Sequence, residues 1–187
     1  MGKLTKQDRI EMLKEFVKAN EPYVYPMTDD RIDYLDRIGF FITPASTHFH
    51  GAYEGGLFDH SLAVAKHLVT LTKNNELRWG EFRSPVVVGL FHDLCKIDQY
   101  NSEVDEDGNV IYKYNDKSLL KGHGDKSVMI LSEQMQLTVE EILCIRYHMG
   151  AFTDKDEWGD YTRAVQAYPN VLWTHHADML ASHVDII

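Results

Sequence analysis

A histidine followed directly by an aspartate, His92-Asp93, ends the apolar run that begins the stretch from Ser84 to Tyr100. Burying an imidazole beside a carboxylate is unfavourable unless both groups have a partner, and a divalent cation satisfies both. A dipeptide of this kind is expected by chance in a chain with ten histidines. Its interpretation as a metal site therefore depends on the apolar setting and on further ligands elsewhere in the sequence.

Further possible ligands recur at intervals of roughly 25 to 30 residues, the length of one helix and one loop, so successive helices of a bundle can bring them together. The candidate metal ligands are His60, His92, Asp93, His123, His148 and Asp178. Nitrogen and oxygen donors without cysteine suit Mn²⁺, Fe²⁺, Co²⁺ or Mg²⁺ better than a structural zinc site. Because this set exceeds the needs of one catalytic ion, we expect two divalent ions bridged by Asp93.

The elements that must position these ligands are mainly helical, as the spacing of apolar residues indicates. Helices are predicted over residues 5–19, 29–38, 57–73, 84–100 and 117–136, over a segment that ends near residue 150, and from about residue 172 onward. Ser84 and Pro85 fit the start of the buried helix that carries His92-Asp93. Thr138 and Glu141 form a capping box at the start of another helix.

Two segments between these helices have other patterns. Alternating residues around Asp-Gly-Asn predict a small β-hairpin over residues 103–114, and residues 151–160 are expected to be a polar loop. The fold class predicted from these patterns is mainly α, a helical bundle with a small β-hairpin insertion. We expect one domain over residues 1–187, in which residues 1–40 form a helical lid and residues 41–187 the catalytic bundle.

Composition restricts the possible partners. The chain has a net charge of −10, with 19 basic and 29 acidic residues, and no basic run that would bind a long nucleic acid. The sequence contains no apolar run long enough to span a membrane and no apolar leader, so we expect a cytoplasmic protein without membrane contacts. Cys95 and Cys144 are interpreted as reduced core residues, and Tyr100 and Tyr147 as packing residues.

The order His60, His92-Asp93, Asp178 resembles the signature of the HD-domain superfamily of metal-dependent phosphohydrolases. His123 and His148 resemble the additional ligands of its two-metal members. The likeness covers about residues 40–185, and the motifs are similar to those in the HD domain of bacterial 3′–5′ exoribonucleases of the YhaM type. The segments that carry this similarity are residues 44–65, 92–97, 119–123 and 173–180.

The resemblance implies a hydrolase that cleaves a phosphoester of a nucleotide or nucleotide-like substrate with a water activated by two metal ions. It implies catalytic roles for Asp93, as the bridging ligand, and for Lys96, as a cation directed at the scissile phosphate. His50 is expected to contact that phosphate. His175, His176 and His183 are interpreted as structural or exposed residues.

The sequence departs from the exoribonuclease pattern in two places. About 40 residues precede the similar region where those enzymes carry an OB domain, and their His-His-Gly motif is His148-Met149-Gly150 here. A 3′–5′ exonuclease acting on single strands therefore stays an alternative, as does a di-iron oxygenase with the same ligand set. A degenerate domain that only binds a nucleotide is a further alternative, which the complete ligand set disfavours. Substrate, metal identity and oligomeric state stay open.

Overall fold

The computed structural model describes residues 4–23, 25–49, 51–120 and 122–185. This part of the chain forms eight α-helices and one two-stranded antiparallel sheet, which confirms the predicted mainly α class with a small hairpin. The helices are α1 (Lys6–Ala19), α2 (Asp29–Arg37), α3 (Gly56–Asn74), α4 (Ser84–Phe91), α5 (Gly124–Ser132), α6 (Val139–Arg146), α7 (Trp158–Ala167) and α8 (Asn170–His183). None of the described helices has the length and apolarity needed to span a membrane.

Local sequence signals account for the starts of two helices. Thr5 and Asp8 form a capping box at α1, and Thr138 and Glu141 form the predicted one at α6. In each box the threonine hydroxyl accepts a hydrogen bond from the third helical amide, and the acidic side chain accepts one from the threonine amide. Backbone donors that the helix cannot use itself are thereby satisfied.

The single helix predicted over residues 84–100 is wrong. Helix α4 ends at Phe91, Asp93 leaves helical geometry with φ −109° and ψ 21°, and residues Leu94–Asp98 form a 3₁₀ turn. The chain changes direction because the Cys95 amide donates to the Ser127 hydroxyl of α5 (3.0 Å) rather than to a helical carbonyl. Asp93 therefore lies at a helix end, where its carboxylate is not confined to one helical face.

Other predicted boundaries also differ from the structure. Helix α5 covers only Gly124–Ser132 of the predicted 117–136. The predicted polar loop 151–160 contains two short 3₁₀ turns, Gly150–Phe152 and Lys155–Glu157, and the beginning of α7. The hairpin begins earlier than predicted, with β1 (Tyr100–Val104) paired to β2 (Val110–Tyr114) in a register that places Tyr100 opposite Tyr114.

The core is organised around α3, which packs against α4 and α8, while α6 contacts α4, α5 and α8. Helices α3 and α4 approach closely at Gly89, where an added Cβ would lie 2.4 Å from the Cα of Ala65. Buried side chains of α1 and α2, such as Leu13 and Leu35, belong to the same hydrophobic cluster. The division into a lid and a catalytic bundle stays a prediction.

Candidate metal centre and cavity

The close crossing of α3 and α4 brings two of the predicted ligands together. His60 on α3 and His92 at the end of α4 are both buried, and their Nε2 atoms are 3.3 Å apart. Helix α8 adds Asp178, whose Oδ1 lies 3.2 Å from His60 Nε2. These three side chains, from three helices, form one group that could hold a metal ion.

Asp93 connects this group to a second one through its two carboxylate oxygens. Its Oδ2 lies 3.7 Å from His60 Nε2 and 3.5 Å from His92 Nε2. Its Oδ1 lies 3.5 Å from His148 Nε2, at the end of α6. The carboxylate therefore faces different imidazoles with each oxygen, which is the arrangement expected of a ligand that bridges two ions.

The ring orientations of His92 and His148 are fixed by the backbone. His92 Nδ1 donates to the carbonyl of Gly89 (2.9 Å), and His148 Nδ1 donates to the carbonyl of Ile145 (2.7 Å). A carbonyl can only accept, so Nδ1 carries a proton, and in the neutral form of each ring Nε2 presents its lone pair. In both residues that lone pair faces Asp93, as in histidines that ligate metals.

The spacing of these atoms fits a cation better than direct hydrogen bonds. Ligands at about 2.0–2.2 Å from one ion lie about 2.8–3.6 Å from one another at tetrahedral or octahedral angles. The His60–Asp178, His60–His92 and His148–Asp93 distances fall within that range. His148 Nε2 is buried without a hydrogen bond to any described residue. A metal ion between this nitrogen and Asp93 would satisfy both groups.

His123 joins the centre from the start of α5 and is partly exposed at its edge. One ligand atom each of Asp93, Cys95 and His123 lies within 4.8 Å of the others. Cys95 Sγ is 3.7 Å from His123 Nδ1 and 3.8 Å from Asp93 Oδ1. Cys95 therefore reaches the centre, which its interpretation as a packing residue did not anticipate.

Lys96 lies closer to Asp93 than expected. Its Nζ is 2.6 Å from Asp93 Oδ2, with only 13% of the side chain exposed. Burial by itself would lower the pKa of Lys96, but the adjacent Asp93 carboxylate outweighs it and holds the pKa above its ordinary value. The lysine is thus a fixed positive charge at the oxygen that also faces His60 and His92.

The electrostatics of the centre favour anionic carboxylates and a cation between them. Burial alone would raise the pKa of Asp93, but Lys96, His92 and His148 hold it well below its usual range. Burial lowers the pKa of His60 and of His123, which keeps these rings neutral. For His148, the carboxylates of Asp93 and Asp178 outweigh burial and raise the pKa. Positive charge is thus favoured where Asp93 and His148 meet.

An open cavity of about 520 Å³ gives access to this centre. Its polar lining includes His60, Asp93, Lys96, His123 and Asp178. A volume of this size is typical of small-molecule sites. Four of the six candidate ligands, His60, Asp93, His123 and Asp178, therefore line a space large enough for a substrate.

The structure places the sequence-predicted residues as follows. Lys96 contacts Asp93, and the six predicted ligands fall into three overlapping groups that share Asp93 or His92; these ligands are His60, His92, Asp93, His123, His148 and Asp178. His50 lies outside the described residues. Tyr147 is buried in the core, whereas Tyr100 lines the cavity rather than the core.

Several cavity residues were missed at the sequence level. Tyr114, Met149 and Phe152 line the cavity without any motif to mark them. His175 also lines it, and its Nδ1 donates to the backbone carbonyl of His148 (2.9 Å). Its position could have been anticipated from helical spacing alone, because it stands one turn before Asp178 on α8.

Comparisons of this chain with family models, with curated proteins and with solved structures find no match. The fold and the site by themselves define a mainly helical protein with buried His/Asp clusters that could hold metal ions.

Proposed function

We propose that this protein is an HD-domain metal-dependent phosphohydrolase that cleaves a phosphoester of a small nucleotide or nucleotide-like substrate. The observation that carries the proposal is the placement of Asp93 at the buried end of an open cavity. One oxygen faces His60 and His92, and the other faces His148. The motif resemblance to HD-domain enzymes supplies the reaction class.

Two groups of side chains would hold the ions. His60, His92 and Asp178, with Asp93 beside them, would hold one of them. Asp93 and His148 would hold the other, with His123 on the opposite side of Asp93, where it is grouped with Cys95. Bound there, divalent ions would supply a water acidified to near-neutral pKa and positive charge for the phosphoryl oxygens. The backbone bonds to Nδ1 of His92 and His148 keep both rings oriented without help from the metal.

Lys96 acts on the substrate side of the centre. Its ammonium is held over Asp93 Oδ2, inside the cavity lining, and stays charged because of that carboxylate. A phosphate group entering the cavity meets this fixed charge, which offsets the negative charge that grows on phosphoryl oxygens during cleavage. The buried position strengthens the interaction, since less water screens it.

The test is metal analysis of protein purified without chelator, followed by a phosphate-release screen. Nucleoside monophosphates and triphosphates would be offered with Mg²⁺, Mn²⁺, Co²⁺ or Fe²⁺, with and without oxygen. The proposal predicts metal bound at up to two ions per chain and phosphate release that persists without oxygen and with redox-inert Mg²⁺ or with Mn²⁺.

Other outcomes would overturn the proposal. Strict dependence on iron and oxygen, with no phosphate released anaerobically, would assign the centre to the oxygenase alternative. Faster degradation of a single-stranded oligonucleotide than of any mononucleotide would assign it to the exonuclease alternative. Absence of bound metal under every condition would remove the mechanism altogether.

A further inference from the structure

Two phenylalanines stand exposed in the lining of the cavity. Phe49, in the loop before α3, is 79% exposed, and Phe152, in the 3₁₀ turn after α6, is 68% exposed. Both line the cavity that contains Asp93 and Lys96. Large apolar side chains exposed at a cavity that also contains charged groups indicate a surface that a ligand covers.

Local hydrogen bonds fix the backbone at both phenylalanines. The Phe49 amide donates to the Ser46 hydroxyl (2.9 Å), and the Phe49 carbonyl accepts from the Ala52 amide (3.2 Å). The Phe152 amide donates to the carbonyl of Met149 (3.1 Å). The two rings are therefore presented from ordered turns, so a ligand that contacts them finds the backbone already in place.

The hairpin contributes two more aromatic rings to the same cavity. Tyr100 and Tyr114 are cross-strand partners whose ring centroids are 5.4 Å apart. Burial raises the pKa of Tyr100 to about 12, so its phenol stays neutral. Phe49, Tyr100, Tyr114 and Phe152, from three separate segments of the chain, are called the aromatic rim below.

The cavity thus has two ends of different chemistry. Its buried end is ionic, since His60 and Asp93 are almost completely buried there, beside Lys96. Its exposed end is mainly aromatic, because Phe49, Phe152 and Tyr114 are three of the four solvent-exposed residues of the lining, and the fourth is His183. A ligand that complements both ends has an anionic group at one end and a planar apolar ring at the other.

We propose that the aromatic rim binds the base of a nucleotide whose phosphate lies at the metal centre. This inference rests on the proposed function and adds how the substrate is recognised. Stacking on aromatic faces tolerates every base, because each base has a π-face. The rim therefore selects nucleotides over sugar phosphates that lack a base and discriminates only weakly among bases.

The experiment compares adenosine 5′-monophosphate and cytidine 5′-monophosphate with ribose 5-phosphate, which lacks the base. Phosphate release is measured for the wild-type chain and for Phe49→Ala and Phe152→Ala. Each substitution should lower kcat/KM for both nucleotides about tenfold, within the range of base–aromatic stacking, and leave ribose 5-phosphate unchanged. Phe82→Ala is the matched control, since Phe82 is 73% exposed but does not line this cavity.

Calorimetric binding of the same compounds separates failure of this inference from failure of the proposed function. Tighter binding of the nucleotides than of ribose 5-phosphate, weakened by Phe49→Ala, supports the rim even if no phosphate is released. Equal binding of all compounds, or equal losses for nucleotides and ribose 5-phosphate in the rim variants, overturns it. Because both phenylalanines are exposed, the variants should fold, and circular dichroism checks that they do.

Discussion

At the scale of single residues, the Asp93 carboxylate lies close to four other side chains of the centre. Its Oδ2 lies 2.6–3.7 Å from nitrogen atoms of His60, His92 and Lys96, and its Oδ1 lies 3.5 Å from His148 Nε2. A buried carboxylate with so many partners affects every ion that binds nearby. Removing it should therefore have consequences that removing a peripheral ligand does not.

We predict that Asp93→Ala loses both ions, whereas His148→Ala loses one and keeps the ion held by His60, His92 and Asp178. The reason is that Asp93 faces His60 and His92 with one oxygen and His148 with the other, while His148 is not part of the group formed by His60, His92 and Asp178. Metal-to-protein ratios measured by mass spectrometry after gel filtration check this. His176→Ala is the control, because His176 is exposed and its Nδ1 bonds within its own helix. Equal metal contents in Asp93→Ala and His148→Ala would contradict a bridging role.

Lys96→Ala should slow phosphate release about 100-fold, the effect of removing one charge-stabilising donor from an active site. Metal content should be retained, because the substitution removes a positive charge 2.6 Å from Asp93 Oδ2 and leaves the ligands in place. Metal analysis and kcat measured on the same preparation separate the two effects. Lys66→Ala, on the exposed face of α3, is the control. Loss of metal from Lys96→Ala would show that the lysine is structural.

At the scale of elements, the separation of α3 and α4 sets the distance between His60 and His92. Gly89 allows that separation, since any Cβ there would overlap with the backbone of Ala65. Gly124 has a similar place at the start of α5, where a Cβ would lie 2.1 Å from the carbonyl oxygen of Arg146. Gly89 thus allows α3 and α4 to approach closely near His92, and Gly124 allows the start of α5 and the end of α6 to approach closely near His123 and His148.

Gly89→Ala should therefore destabilise the fold by about 1–3 kcal/mol, as overpacking does, and should also weaken metal binding. Urea unfolding and a metal titration measure the two effects. Gly159→Ala is a matched control in α7, where the nearest atom to the added Cβ is the end of the Arg163 side chain at 3.5 Å. That change should be neutral or stabilise by up to about 1 kcal/mol, from helix propensity alone. Unchanged metal affinity in Gly89→Ala would show that the close approach of α3 and α4 does not determine metal binding.

The elements that sequence predicts well are those with local signals. The capping boxes of α1 and α6 involve residues three apart, and the one at α6 is found as predicted. The break after Phe91 is different, because it depends on Ser127, 32 residues away from its partner Cys95. Helix α7 was missed because only Ala164 is buried in it and polar residues surround that position. Tertiary partners and partly buried faces leave little trace in a local pattern.

At the scale of the whole molecule, the residues of the centre could be predicted from the sequence, but the arrangement of their side chains could not. His60, His92, Asp93, His123, His148 and Asp178 stand out because donors recur at the spacing of helices in a bundle. Which oxygen of Asp93 faces which histidine depends on the packing of α3, α4 and α6 together. The aromatic rim could not be predicted from the sequence either, since its residues come from three segments that only the fold brings together.

Net charge gives the last prediction, which concerns the length of the substrate. A polymer gains affinity by releasing counterions along a basic track, and the net charge of −10 offers little of this contribution. Under the proposed function, a mononucleotide would need only the local positive field of two ions and Lys96, which would dominate at contact distance. We therefore expect a higher kcat/KM for mononucleotides than for a single-stranded oligonucleotide.

The salt dependence of kcat/KM distinguishes weak electrostatic affinity for a polymer from steric exclusion of a long chain from the cavity. Raising the salt concentration from about 50 to about 200 mM should lower kcat/KM for a mononucleotide less than about tenfold, since few phosphate contacts are screened. An oligonucleotide bound along a basic track would lose far more over the same range. Lys66→Ala and Lys73→Ala, which remove exposed positive charges of α3, should leave both values unchanged. A steep salt dependence with preferred cleavage of the oligonucleotide would instead mean that the surface, and not only the buried centre, binds the phosphate backbone.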